Sequence, residues 1–253
     1  MPDQRLRRIE SPGSAMRWVA GFAVLLAAGF AALPVDLAVA SWCLTLNCPR
    51  PIHELFVNAE PFAHGIGVVF ILAAVFVLAP ESRWALPRLV ICVAAAGMAG
   101  NMFKLLVSRT RPNAFDFESG VLATFNQWLP LSGANSSAQS TPSAHAATAV
   151  GLAIGLWWLY PRGRWLFGGL AVLACGHRVE IGVHFVSDVF WGAAIGWFAG
   201  WGIVDGRFLL PSFQRWERRR AAVAGSAAKM SAVASTAAAV SAAAAEQADK
   251  HAA

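Results

Sequence analysis

A chain of 253 residues that is 57% hydrophobic and only 13% charged cannot coat a water-soluble globule, since soluble domains carry about 25% charged residues. The net charge of +6 does not indicate nucleic-acid binding, because the Arg residues stand at segment ends and in the tail rather than along one basic stripe. The apolar residues fall instead in runs suited to crossing a bilayer about 30 Å thick, and eleven Trp against one Tyr suit interfacial aromatic anchors.

Six spans are predicted in chain order: Arg17 to Ala40, Phe62 to Leu78, Trp84 to Val107, Ser143 to Tyr160, Trp165 to Gly182 and His184 to Val204. Pro80, Pro142 and Pro161 punctuate their ends as helix stops and starts do. The first run also has features of a cleaved leader, with Arg5, Arg7 and Arg8 before it and Ala38-Val39-Ala40 at its end. Its length, and the interruptions at Pro34 and Asp36, favour a retained helix. The expected architecture is an all-α bundle of six transmembrane helices over residues 17–207. A cytoplasmic segment, 1–16, precedes it, and a basic, then Ala-rich, tail that is disordered or weakly helical follows over 208–253.

Lys and Arg placement sets the orientation. Arg5, Arg7 and Arg8, then Arg83 and Arg88, then Arg162 and Arg164, then Arg215, Arg218, Arg219 and Arg220 all fall on one side of a six-span chain. That side is therefore cytoplasmic, in a multi-pass protein of the inner (plasma) membrane with both termini inside. The loops at 41–61 and 108–142 and the tight 182–184 junction then face outward. Cys43 and Cys48 share the first of these loops and could form a disulfide if it meets an oxidising compartment, a pairing the sequence leaves open. Cys92 and Cys175 lie in apolar runs as packing residues.

Ionisable residues near a membrane interior are costly, so each is a functional candidate. Here they gather at the outward ends of three spans: Lys104 and Arg111, Ser143 and His145, and Arg178, His184 and Asp188. A continuous helix would place Lys104 and Arg111 on one face about 10 Å apart, although Pro112 disfavours helix at Arg111. His184 and Asp188 are four apart and so share a face, where Asp188 can accept from one imidazole nitrogen and leave the other free. Gly182 supplies the break that lets Arg178 and His184 face one pocket.

Three cations fit a phosphate dianion, and the start of the fourth helix offers N–H groups around Ser143, Ala144 and His145. Of the two histidines, His184 can attack phosphorus while His145 protonates the leaving oxygen and later activates water. With the cations neutralising the phosphate oxygens, this chemistry needs no divalent metal. A metal site from His145, His184, Asp188 and Glu180 is the competing reading, disfavoured because the cations would repel the ion. Glu180 reads as a hairpin polar group or a partner for Arg178, and His53 and His64 as bystanders. Asp116 and Glu118 either contact a head group or solvate their loop.

The three clusters resemble the motifs of the type 2 phosphatidic acid phosphatase superfamily. Lys104, six intervening residues, then Arg111-Pro112 match the first motif in full. Pro142, Ser143 and His145 match the second, with Ala144 where Gly is usual. Arg178, His184 and Asp188 match the third, with His177 in place of Ser. The resemblance covers about residues 60–205. It implies a membrane-bound lipid phosphatase with His184 as nucleophile, Asp188 as its orienter and His145 as acid/base. Lys104, Arg111, Arg178 and Ser143 would bind the phosphate, and no cofactor is involved. Candidate substrates are undecaprenyl diphosphate, phosphatidylglycerol phosphate, phosphatidic acid and lipid A phosphate. A lipid phosphotransferase using the same intermediate, and a non-catalytic anion-binding membrane protein, are the alternatives. Oligomeric state has no signature in the sequence.

Overall fold

The apolar runs fold as helices that pack through small residues. A computed structural model of the protein describes residues 12–45, 48–131 and 136–252. Among them are the helices α1 (Pro12–Thr45), α2 (Arg50–Ala59), α3 (Gly65–Leu78), α4 (Leu86–Phe103), α5 (Ala144–Leu159), α6 (Arg164–Glu180), α7 (Val186–Val204) and α8 (Pro211–Ala252), with two short strands, β1 (Val107–Arg109) and β2 (Phe125–Trp128). Helix α7 lies between α1 and α5, α4 packs on both α5 and α7, and α6 packs on α5. Leu152 and Leu156 of α5 meet Val93 of α4, Val68 of α3, and Ala171 and Ala174 of α6 in the largest apolar cluster. The approach of α7 to the start of α5 depends on Gly192, where a Cβ would stand 2.2 Å from the Ser143 carbonyl oxygen.

Two helical segments are long and apolar enough to cross a membrane, Trp18–Thr45 and Pro80–Phe103. A third arises if Arg50–Phe62 and Gly65–Leu78, bent by 67°, count as one span. Helix α5 is apolar but shorter, at 16 residues. Composition and length in the structure thus support two or three spans directly, against the six expected.

Several sequence expectations change. The loop at 41–61 contains α2, an amphipathic helix with Pro51 in its first turn, where the missing N–H costs nothing. It is pinned to α6 by Phe56, against which a Cβ at Gly176 would clash, and by a 2.8 Å contact between His53 Nδ1 and Glu180 Oε1. The third span ends at Phe103 rather than Val107; β1 then pairs antiparallel with β2, so the bundle is not purely α-helical. Lys104 and Arg111 therefore do not share a helix face.

The segment from 208, expected to be disordered or weakly helical, is helical over Pro211–Ala252, and its first turns are packed. Glu217 is fully buried against Arg88, with Arg88 Nε 2.9 Å from Glu217 Oε1. Arg88 Nη1 also donates to the carbonyls of Ile203 (3.1 Å) and Val204 (2.6 Å) at the end of α7, where a cation satisfies exposed helix carbonyls. Arg88, read from sequence as a topology-setting loop charge, is thus a buried clamp. The four cysteines are free thiols, with no bridge between Cys43 and Cys48. Arg5, Arg7 and Arg8, and the first eleven residues of the 1–16 segment, lie outside the described residues.

Candidate active site

Three chain segments end at one place. Pro142 and Ser143 lead into α5, and the Ser143 hydroxyl caps that helix by accepting from the Ala146 N–H at 3.3 Å, as N-cap serines do. The Ser143 N–H in turn donates to the Asp188 carbonyl at 3.0 Å, locking the start of α5 to the first turn of α7. His145 is the second residue of α5, in its first turn, its ring centroid 6.3 Å from that of His64. Between α6 and α7 the chain turns through Gly182 at φ +67°, a left-handed conformation that favours glycine. The turn is tied to the loop after β1 by the Asn113 N–H, 3.0 Å from the Gly182 carbonyl.

The orientation of His184 differs from the expected one. Its Nδ1 lies 2.6 Å from the backbone carbonyl of Ser140 and 4.0 Å from Asp188 Oδ2. A carbonyl only accepts, so Nδ1 carries the proton and Nε2 keeps its lone pair. Asp188 acts on the imidazole at one remove. Its carboxylate accepts from the hydroxyls of Ser140 and Thr141 and from the Phe185 N–H at 2.9 Å. This fixes the segment whose carbonyl holds the ring.

Asp188 also meets a residue that sequence reasoning missed. Arg109, fully buried, donates from Nη1 to Asp188 Oδ1 (2.6 Å) and Ser187 Oγ (2.7 Å), from Nη2 to Asp36 Oδ2 (2.8 Å) and from Nε to Thr124 Oγ1 (2.9 Å). Asp36 in α1 further accepts from the Ser187 N–H at 3.0 Å and from its hydroxyl. The guanidinium is sandwiched between Phe125 and Phe185, 4.5 and 4.2 Å from their ring centroids. One cation thereby joins α1, the β hairpin and α7. The only sequence signal was Asp36, an acid in an apolar run.

The phosphate-binding candidates surround this frame. Arg178 Nη1 lies 3.1 Å from Glu60 Oε1, so its partner is Glu60 rather than Glu180. Arg178 Nε and Arg111 Nε are buried with no hydrogen-bond partner, donors placed to meet an anion. His177 is buried beside them, with Nδ1 3.9 Å from Glu60 Oε2. Among the described residues, no group of three or more His, Cys, Asp or Glu is placed to hold a metal ion; Asp188 and Glu180, the carboxylates of the competing metal reading, are engaged by Arg109 and His53 respectively.

Lys104, Arg111 and Arg178 are all close enough to act on the His184 imidazole. Burial pushes that group down to about 3; the Asp188 carboxylate opposes the shift and the three cations add to it. Lys104, just beyond the end of α4, is itself pushed down to about 8 by burial and by the neighbouring Arg111 and Arg178, with Asp188 opposing. The site is thus a neutral imidazole facing a cluster of cations.

Residues 85–210 match the PAP2 superfamily, a stretch holding all seven site residues. The chain belongs to the PAP2 superfamily. Within that superfamily it is 32% identical over 117 residues to a lipid A 1-phosphatase of Rhizobium johnstonii, covering 46% of each chain. It is also 32% identical over 108 residues to a lipid A 1-phosphatase of Rhizobium etli, covering 42% of this chain and 44% of the other. The matches thus span less than half the length of these relatives. The crystal structure of a transmembrane PAP2-type phosphatidylglycerolphosphate phosphatase from Bacillus subtilis matches with a TM-score of 0.51 and 17% identity, over 74% of this chain and 92% of that one. At that identity the likeness is one of fold.

Proposed function

We propose that the protein is an integral-membrane phosphatase that hydrolyses a lipid phosphate through a phosphohistidine on His184, without a metal. The observation carrying this reading is the convergence of Lys104, Arg111 and Arg178 on a neutral imidazole whose Nδ1 is held by Ser140. The relatives act, by name, on lipid A and phosphatidylglycerolphosphate, which favours a membrane lipid bearing a phosphate ester as substrate. In this reading α5, α6 and α7 cross the membrane with the longer helices, giving six spans. The site then opens at the outer face and both termini lie in the cytoplasm.

Nε2 of His184 attacks phosphorus in line. The P–N bond forms as the bond to the lipid oxygen breaks, and His145 takes the proton carried in by the phosphate monoester monoanion and gives it to the departing alkoxide. His145 then accepts a proton from water as the water oxygen attacks phosphorus. The P–N electron pair returns to Nε2 and phosphate leaves. Lys104, Arg111 and Arg178 neutralise the charge of the phosphoryl oxygens through both steps, with Ser143 shaping the helix start beneath them. Ala144 keeps the backbone N–H that a glycine would offer there.

Purified protein in detergent micelles is expected to release phosphate from lipid phosphates at an undiminished rate in EDTA and to be inhibited by vanadate. Strict magnesium dependence would overturn the metal-free mechanism. Label appearing on a second lipid without phosphate release would identify a transferase, and anion binding without turnover a non-catalytic protein.

Lys104 predicts the alkaline limb of the pH profile. Its cation is present below about 8 and lost as pH rises through that value, well before an ordinary lysine would titrate. Since kcat/KM reports the free enzyme, loss of this cation is expected to steepen the fall of kcat/KM above about pH 8, and Lys104→Arg to move that break upward. His184 contributes no acid limb until near pH 3. A kcat/KM that stays flat to about pH 10 in the parent enzyme would refute the role of Lys104.

A further inference from the structure

The base of the β hairpin carries an apolar edge that the catalytic account does not use. Trp128, Leu129 and Leu131 are 70%, 63% and 65% exposed, and Leu105 and Leu106 beside them are exposed as well. This patch begins where α4 ends, next to the exposed Met102 and Phe103, so it continues the outward face of a helix long and apolar enough to cross a membrane. The connecting segment between the strands is polar at Asp116 and Glu118, both exposed. An apolar base and a polar tip are what a hairpin standing in a membrane interface requires, with Trp at the boundary.

The backbone is committed to this display. Leu129 and Leu131 have φ of 54° and 51°, in the left-handed region that bulky residues rarely occupy. The conformation is held by the Leu129 N–H on the Leu106 carbonyl (2.8 Å) and the Leu131 N–H on the Leu105 carbonyl (3.0 Å). Strain of this kind concentrates where function requires it. The edge is also mechanically joined to the site. Trp128 stacks on Phe125 with centroids 6.0 Å apart, and Phe125 covers the Arg109 guanidinium.

We infer that the hairpin base is a lipid-docking lip. It rests in the membrane leaflet at the site's end, and the substrate's acyl chains lie against Trp128, Leu129 and Leu131 while its phosphate reaches Lys104 and Arg111. The inference rests on the lipid-phosphatase reading and assigns that site its means of selecting a membrane-borne over a water-soluble substrate.

Leu129→Asn and Leu131→Asn test it, because asparagine tolerates positive φ and removes only the apolar side chain. The double variant is expected to raise KM for a long-chain lipid phosphate in mixed micelles on the order of tenfold, the scale of losing part of two leucine contacts, with kcat unchanged. Its kcat/KM for a short-chain, water-soluble phosphomonoester should match the parent's. Equal losses on both substrates, or no loss on either, would overturn the lip. Parent protein that hydrolyses neither substrate would instead sink the phosphatase reading. The lip keeps its own test in proteoliposomes: the emission lost in Trp128→Phe should be quenched by lipids brominated high on the acyl chain. Emission quenched by aqueous iodide and untouched by bromolipid would refute it independently of catalysis.

Discussion

Replacing His184 with glutamine is expected to lower turnover on the order of 10⁴-fold or more, the scale seen when a covalent catalytic nucleophile is lost, while leaving the fold intact. A glutamine amide can still donate to the Ser140 carbonyl that now holds Nδ1, so the 136–143 segment keeps its anchor, but no nitrogen lone pair faces phosphorus. Brief reaction with radiolabelled substrate followed by alkaline quench should trap an acid-labile, base-stable phosphoenzyme in the parent and none in the variant. Undiminished labelling of His184→Gln would place the covalent bond elsewhere. Asp188→Asn is expected to behave differently. Asp188 acts on the ring through Ser140, Thr141 and Arg109 rather than by direct contact, so this variant should lose stability together with activity.

Arg109→Met should be among the most damaging substitutions in the protein although Arg109 touches no phosphate in the proposed mechanism. Removing the guanidinium leaves Asp36 and Asp188, both fully buried, without their cation. Breaking a buried ion pair from one side typically costs about 3–5 kcal/mol, and here two carboxylates are stranded. Arg109→Lys should rescue only in part. A single ammonium cannot reach Asp36, Asp188, Ser187 and Thr124 at once, as the planar fork does. Pairing Arg109→Met with Asp36→Asn should recover some of the lost stability, because one stranded charge is removed. Thermal unfolding in detergent, read alongside phosphate release, checks the series. An Arg109→Met protein with parental melting temperature and activity would show that the network contributes nothing.

These two residues mark the division between what the chain announces and what it conceals. His184 was legible as a candidate because its pattern is local: a histidine four residues before an aspartate, at the end of an apolar run and following an arginine and a helix-breaking glycine. The same holds for Lys104, Arg111, His145 and Arg178, each at the polar end of an apolar segment; the structure draws the three cations around the His184 imidazole and sets Lys104 and Arg178 beside His145 as well. Arg109 was hidden. In Arg109-Thr110-Arg111 two arginines two residues apart look alike, and the chain alone does not say that β1 ends at Arg109, which turns inward to Asp36, while Arg111 lies beyond the strand near His184. Glu60 was hidden for the same reason, since its partner Arg178 lies 118 residues away.

Apolar run length determined, from the sequence alone, that helices would form at α1 and α3 to α7, and motif spacing picked out the groups that gather at the candidate site. Both properties belong to neighbours along the chain, where hydrophobicity and helical periodicity are written directly. Only the tertiary structure decided that Asp188 holds Ser140 and Thr141 rather than His184, that Arg88 and Glu217 bind α8 to the bundle, and that a hairpin with an apolar edge stands beside the site. Each of these is a pairing between distant segments. Such pairings are set by which buried charges must be neutralised and which faces can pack, quantities that exist only once the chain has folded.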